Sequence, residues 1–349
     1  MSQSPNLSVG RAESRPRRES AAPRVGRAES RPPIEPTAPG ALVTVFFSAY
    51  HGRRERRPPS RDRPAAVENL RVIQLKVSLI QMNSINDKGA NIAAAQALIE
   101  RAVAEESPDW VLLPEQFDWA GGSRVEKLAA AERLPGGPAY EMTRGQAIKH
   151  RIFVHAGSIM EAIEGEERYH NTTVVFNREG EEIARYRKIH LFDVMTPDGT
   201  AYKESATVKA GDQVVTYDCE GVTVGCSICY DLRFPDLFQA LAEKGAEMIA
   251  MPAAFTMQTG KDHWEVLLRA RAIETETYVC ASAQTGSFTV GNEQRHTYGH
   301  SLVADPWGHV VAKASDGVGI VSARIDPARV KKVRGMIPVA EHKVKISRN

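Results

Sequence analysis

The sequence predicts an α/β fold with mixed sheets, and three observations carry that expectation. β-rich runs alternate with stretches of helical apolar spacing over most of the chain. A tight hairpin is written into the sequence at Asn177-Arg178-Glu179-Gly180, and a hairpin requires antiparallel pairing. The connections between runs are short, which suits one domain of about 270 residues, long but admissible.

Order is expected to begin near Leu70. Val72 to Gln81 alternates and is β-rich, and Asn91 to Glu105 is Ala-rich with helical spacing. Asp109 to Leu113 is a short apolar strand that ends at Pro114-Glu115. A Pro-Gly-Gly-Pro break at 135–138 precedes another helix, followed by a strand from Ile152 to Ser158. Thr172 to Phe176 and Glu182 to Tyr186 form the arms of the hairpin. A β-run beginning Val222-Thr223-Val224 leads into Cys229, and Pro235 opens a helix with Leu237, Leu241 and Ala242 at helical spacing. Met248 to Pro252 reads as a strand and His263 to Glu276 as a helix. Strands near Tyr278 to Ala283, Tyr298 to Asp305, His309 to Lys313 and Gly319 to Ile325 complete the pattern.

The first 69 residues differ from the rest. They are rich in Arg, Pro and Ser and repeat an octapeptide, Val9 to Pro16, at Val25 to Pro32. Two copies cannot bury a core, so the expectation is a disordered extension or upstream sequence from a wrongly assigned start. A mitochondrial presequence is the sharper alternative, although acidic residues interrupt it. This segment holds thirteen Arg, no Lys and seven acidic residues, a balance of +6 against +2 for the whole chain. The remaining 280 residues are therefore slightly acidic, at −4, which argues against nucleic-acid binding by the folded part. The apolar run Ala41 to Phe47 is too short to cross a bilayer. Four cysteines, Cys219, Cys226, Cys229 and Cys280, are too few and irregular for a secreted disulfide scaffold, so the cytoplasm is the expected compartment.

Three residues stand at the ends of strand-like runs and could converge at one sheet edge: Glu115, Lys188 and Cys229. Amide hydrolysis by a thiol needs a base for the thiol proton, a cation or N–H pair for the oxyanion, and a donor for the leaving amine. Glu can serve as base and acid when enclosed, and Lys can keep its charge beside the oxyanion. Each residue alone has a plainer reading: a core thiol, a helix-capping Glu, a solvated Lys beside arginines.

The combined motifs resemble the nitrilase superfamily of carbon–nitrogen hydrolases, from about Val72 to about Ile337. Leu-Pro-Glu ending at Glu115, Tyr186-Arg187-Lys188-Ile189-His190-Leu191-Phe192-Asp193, and Cys229-Tyr230-Asp231-Leu232-Arg233-Phe234-Pro235 match in order and spacing. The resemblance implies Cys229 as nucleophile, Glu115 as general base and acid, Lys188 as oxyanion stabiliser with the backbone N–H of Tyr230, and Glu204 as a second, positioning glutamate. It also implies a four-layer α-β-β-α sandwich, pairing into a homodimer or higher homo-oligomer, a small-molecule amide as substrate, and no cofactor or metal.

The Cys229 motif and the blocks around His263 to Glu274, Tyr298 to Ser301 and Asp305 to Gly308 are most similar to the deaminated glutathione amidase branch. That branch, and the related ω-amidases, imply a carboxylate-bearing acyl group and hence a basic residue in the pocket. Arg233 and Lys261 are the candidates, with a structural ion pair the alternative for each. Thr259-Gly260-Lys261-Asp262 departs from that branch's animal pattern. A carbamoyl amide hydrolase or nitrilase, and an idle interaction scaffold, are the other functional readings.

Other signals are read as structural. Cys226 and Cys229 form a Cys-x-x-Cys pair, but no second pair exists to complete a zinc site, and Cys226 reads as a core residue. His190, His263 and His300 read as structural histidines. Glu265–Arg269 and Arg271–Glu274 are expected to pair along their helix, whose core face is Trp264, Leu267 and Leu268.

Overall fold

In the computed structural model, residues 74–197, 199–344 and 346 are described. The expectations for residues 1–69 lie outside them. The first half runs β1 (Leu75–Gln81), α1 (Lys88–Glu106), β2 (Trp110–Leu112), α2 (Arg124–Ala130), α3 (Pro138–His150), β3 (Phe153–His155), β4 (Ile159–Ala162), β5 (Tyr169–Phe176) and β6 (Glu182–Arg187). A small ribbon follows, β7 (Asp193–Met195) and β8 (Ala201–Lys203). The second half runs β9 (Thr216–Cys219), β10 (Val222–Cys226), α4 (Pro235–Glu243), β11 (Met248–Ala253), α5 (Met257–Thr275), β12 (Tyr278–Ala283), β13 (Thr285–Val290), β14 (Glu293–Tyr298), β15 (Leu302–Ala304), β16 (Val310–Lys313), β17 (Gly319–Ile325), α6 (Pro327–Met336) and α7 (Val339–His342).

Two mixed sheets result. One has the order β17-β1-β2-β3-β5-β4, with β6 also paired to β5, and β1, β2 and β3 are parallel. The other has the order β16-β15-β12-β11-β10-β9, with β10, β11 and β12 parallel at its centre. Parallel neighbours need helical crossovers, and those helices cover the outer faces.

Alternation along β1 and β2 builds the layers. Leu75, Val77, Leu79, Trp110 and Leu112 point toward the second sheet and share a core with Val224, Cys226, Ala250 and Cys280. Ile80, Val111 and Leu113 point the other way, onto Leu98, Ile99 and Ala102 of α1 and Ala139 and Ala147 of α3. On the far face of the second sheet, Leu237, Phe238 and Leu241 of α4 pack with Trp264 and Leu268 of α5. The described residues thus form the expected four-layer α-β-β-α sandwich.

Several boundaries differ from the sequence expectation. The β-run does not reach Cys229: β10 stops at Cys226, and a 3-10 turn over Cys229–Arg233 follows. Helix α5 starts at Met257, six residues before His263, because the Thr256 side chain caps it by accepting from Thr259 N at 3.3 Å. Gly260 lowers the helical expectation there, yet it is needed: a Cβ on it would lie 2.2 Å from Tyr298. Tyr298 to Asp305 is not one strand, since Gly299 and His300 take positive φ and break it between β14 and β15. Glu265 pairs with Lys313 at 2.8 Å rather than Arg269, which donates to Gly308 O, whereas Arg271–Glu274 forms at 2.7 Å.

Candidate active site

The loops after β2, β6, β8 and β10 meet at one cavity of about 280 Å³ lined by Glu115, Lys188, Glu204, Cys229 and Tyr230. These are five of the seven residues singled out in the sequence. Glu115 follows β2 in a buried loop, where Gln284 Nε2, just past β12, donates to its backbone carbonyl at 3.0 Å. The second sheet therefore helps to place a residue that the first sheet supplies.

Lys188 follows β6 and is 2% exposed. Its Nζ donates to Glu115 Oε1 at 2.8 Å and to Glu204 Oε1 and Oε2 at 3.1 and 2.9 Å. Burial opposes its charge, but the carboxylates of Glu115 and Glu204 outweigh that and raise its pKa well above the ordinary lysine value. Glu204 Oε2 also accepts from Phe192 N at 2.6 Å, which ties the β7–β8 ribbon to the cluster.

Cys229 opens its turn with φ of 49°, a left-handed conformation that a non-glycine residue adopts only where the surroundings impose it. Here they do. Asp231, wholly buried, accepts from Ile228 N at 2.8 Å, Tyr186 Oη at 2.7 Å, and His190 N and Nδ1 at 3.0 and 2.7 Å. Asp231 thus fixes the turn before the thiol and joins it to the segment that carries Lys188. The thiol is held well above its ordinary pKa by burial first and by the Glu115 carboxylate second, with Lys188 working against both.

Sequence reasoning missed Asn171 on β5. Its Nδ2 donates to Glu115 Oε1 at 2.9 Å and to Glu204 Oε1 at 3.4 Å, so it holds both carboxylates beside Lys188. An Asn at the edge of a β-run was its only signal, and a weak one. Also unforeseen were Lys127 of α2, and Arg295 and His296 of β14, all on the cavity wall.

The two basic candidates require correction, because neither Arg233 nor Lys261 lines the cavity. Arg233 packs its guanidinium over Phe255 and Tyr230, 5.5 and 6.0 Å from the ring centroids, and meets His263 Nδ1 at 3.3 Å. Lys261 is exposed on α5. His190 stacks on Phe234 with ring centroids 3.7 Å apart, and His300 stacks on Tyr298 at 4.2 Å. Cys226 is wholly buried in the inter-sheet core, and burial pushes its pKa far up.

Residues 76–335 match the family model described as carbon-nitrogen hydrolase. The chain is 42% identical over 269 residues to the deaminated glutathione amidase of Synechocystis, covering 76% of this chain and 96% of that protein. It is 35% identical over 275 residues to the omega-amidase of Saccharomyces cerevisiae, covering 77% and 93%. Among solved structures, the NitFhit protein of Caenorhabditis elegans superposes with a TM-score of 0.71 at 39% identity, covering 77% of this chain and 65% of that one.

Proposed function

The chain belongs to the carbon–nitrogen hydrolase family of the nitrilase superfamily, and from that premise we propose that it hydrolyses a small carboxylate-bearing amide, deaminated glutathione foremost, through a cysteine thioester. One observation carries the chemistry: Lys188 Nζ is bracketed by Glu115 and Glu204 in the cavity wall that Cys229 shares. The similarity to deaminated glutathione amidases supports the substrate.

In the resting site burial and the Glu115 carboxylate keep the thiol protonated. Glu115 takes that proton as Cys229 Sγ attacks the amide carbon. The carbonyl oxygen gains the negative charge and is stabilised by the Lys188 ammonium and the Tyr230 backbone N–H. As the C–N bond breaks, Glu115 returns the proton to the departing amine and leaves the acyl group on sulfur. Glu115 then deprotonates a water that attacks the thioester, and its proton goes back to the thiol as the carboxylate product leaves. Glu204 and Asn171 keep Lys188 in position through the cycle.

A second reading, hydrolysis of short ω-amides such as α-ketoglutaramate, is favoured by the cavity of about 280 Å³, near the lower limit for ligand pockets. Steady-state turnover of deaminated glutathione and α-ketoglutaramate decides between them, with cysteinylglycine and ammonia the respective amine products. Cys229→Ala is expected to lose roughly 10³-fold or more of kcat and all acyl adduct in the intact mass. Full activity in that variant would remove Cys229 from the mechanism.

A further inference from the structure

The catalytic cluster accounts for the carboxylates of the cavity but not for all of its positive charge. Glu115 and Glu204 are both engaged by Lys188. Lys127 and Arg295 line the same cavity. Lys127 makes no ion pair among the described residues. Arg295 has one there, to Glu293 at 3.3 Å, a side chain that is 68% exposed and correspondingly screened. The Arg295 guanidinium lies 4.6 Å from the centre of the Tyr202 ring, and its buried Nε has no hydrogen-bond partner.

These two cations are also held in place. The loop that leads into α2 is fastened to the β13–β14 hairpin, where Gly122 N donates to Thr289 O at 3.0 Å. At Gly121, with φ of +86°, a Cβ would fall 2.3 Å from that same carbonyl oxygen. Only glycine permits so close an approach, so Lys127 and Arg295 sit on elements locked to one another. Burial first, and the charge of Arg295 second, lower the Lys127 pKa, with Glu204 opposing them. Two like charges so placed at a cavity wall are relieved by an anion between them.

We propose that Lys127 and Arg295 form the subsite for a substrate carboxylate remote from the scissile amide, and that they set the preference for anionic over neutral amides. The pair binds rather than reacts. Phe192, Phe288 and Val290 share the cavity lining and suit a short methylene chain joining the two ends of such a substrate. This deepens the amidase reading and rests on it for the identity of the ligand.

Succinamate and its neutral analogue succinamide separate the charge from the reacting group. For Lys127→Met and Arg295→Met, KM for succinamate should rise roughly tenfold to a hundredfold, while kcat, and both constants for succinamide, stay within about threefold. Lys127→Arg should recover most of the loss. Equal losses on both substrates, or none on succinamate, would overturn the subsite. Should Arg295→Met fail to fold, Lys127→Met on the partly exposed α2 decides the question by the same criterion. Calorimetric binding of glutarate to Cys229→Ser protein needs no turnover. Glutarate binding that is lost in the Lys127 and Arg295 variants upholds the subsite even if the parent hydrolyses no amide, a result that would sink the amidase reading alone. Glutarate binding equally well with and without the two cations would sink the subsite.

Discussion

At the scale of single residues, the site is organised by which charges are buried beside which. Cys229 does not follow the common route to a reactive cysteine, a lowered pKa beside a cation or helix start. Burial and Glu115 keep its proton on, so in the proposed mechanism the thiolate forms only as that proton moves to Glu115. Alkylation of Cys229 by iodoacetamide should therefore still be accelerating with pH at pH 9, where an ordinary thiol levels off. Glu115→Gln removes the negative charge that disfavours the thiolate, so the profile should move to lower pH while amide turnover collapses. An unchanged or upward-shifted profile in Glu115→Gln would contradict that account. Asp231 shows how far a motif can be read without coordinates. Its place two residues after Cys229 is plain in the sequence, but its four hydrogen bonds, which link Ile228, Tyr186 and His190, depend on two distant segments meeting. Asn171 was invisible for the same reason, since nothing along β5 records that both glutamates will stand opposite it.

At the scale of elements, the proposed catalytic residues sit in loops whose backbones are fixed by close packing rather than by their own propensity. The loop carrying Glu115 lies against Gly157, between β3 and β4. Gly157 has φ of +54°, and a Cβ there would fall 2.1 Å from Pro114 O. Gly157→Ala should therefore cost about 1–3 kcal/mol of stability and lower kcat more than it raises KM, because the displaced group is the proposed general base. Denaturant unfolding together with steady-state kinetics checks it, and a neutral effect on both would show that the loop is not held there. Beyond Glu115 the same loop is pinned by Lys88 of α1, whose Nζ meets Asp118 and Glu132 at 2.8 and 2.7 Å. Elements of strong period were legible: β1, the core of α1, the β5–β6 hairpin, α4, β11 and β12. Among the missed ones, α2, the β7–β8 ribbon and the β13–β14 hairpin are short or largely exposed, so their apolar periodicity is weak and tertiary contacts decide them. They are also the elements that bring Lys127, Glu204 and Arg295 to the cavity. That is why the pocket's basic residues were sought at Arg233 and Lys261, inside legible motifs, instead of on the hairpin and α2.

At the scale of the whole molecule, the proposed chemistry depends on two sheets being held face to face, since Glu115 and Lys188 come from one and Cys229 from the other. Trp110 of β2 crosses that interface, wholly buried, and donates from Nε1 to Tyr217 Oη of β9 at 2.8 Å. Trp110→Ala should cost about 3–5 kcal/mol in denaturant unfolding, the usual range for emptying a large aromatic site. A cost below about 1 kcal/mol would mean that the interface does not rely on this contact. The two sheets also meet beside the site, where Thr285 N donates to Met82 O at 2.9 Å, so Gln284 reaches Glu115 from across the sandwich. The sequence by itself determined the α/β class, most of the central strands, the family, and Glu115, Lys188, Glu204 and Cys229 as candidate site residues. It could do so because hydrophobic period and local motifs are properties of neighbours along the chain. Only the tertiary structure decided the strained turn at Cys229, the anchoring by Asp231 and Asn171, and which cations face the cavity. Each of these rests on contacts between segments that the sequence keeps far apart, and a one-dimensional pattern carries no record of such a meeting.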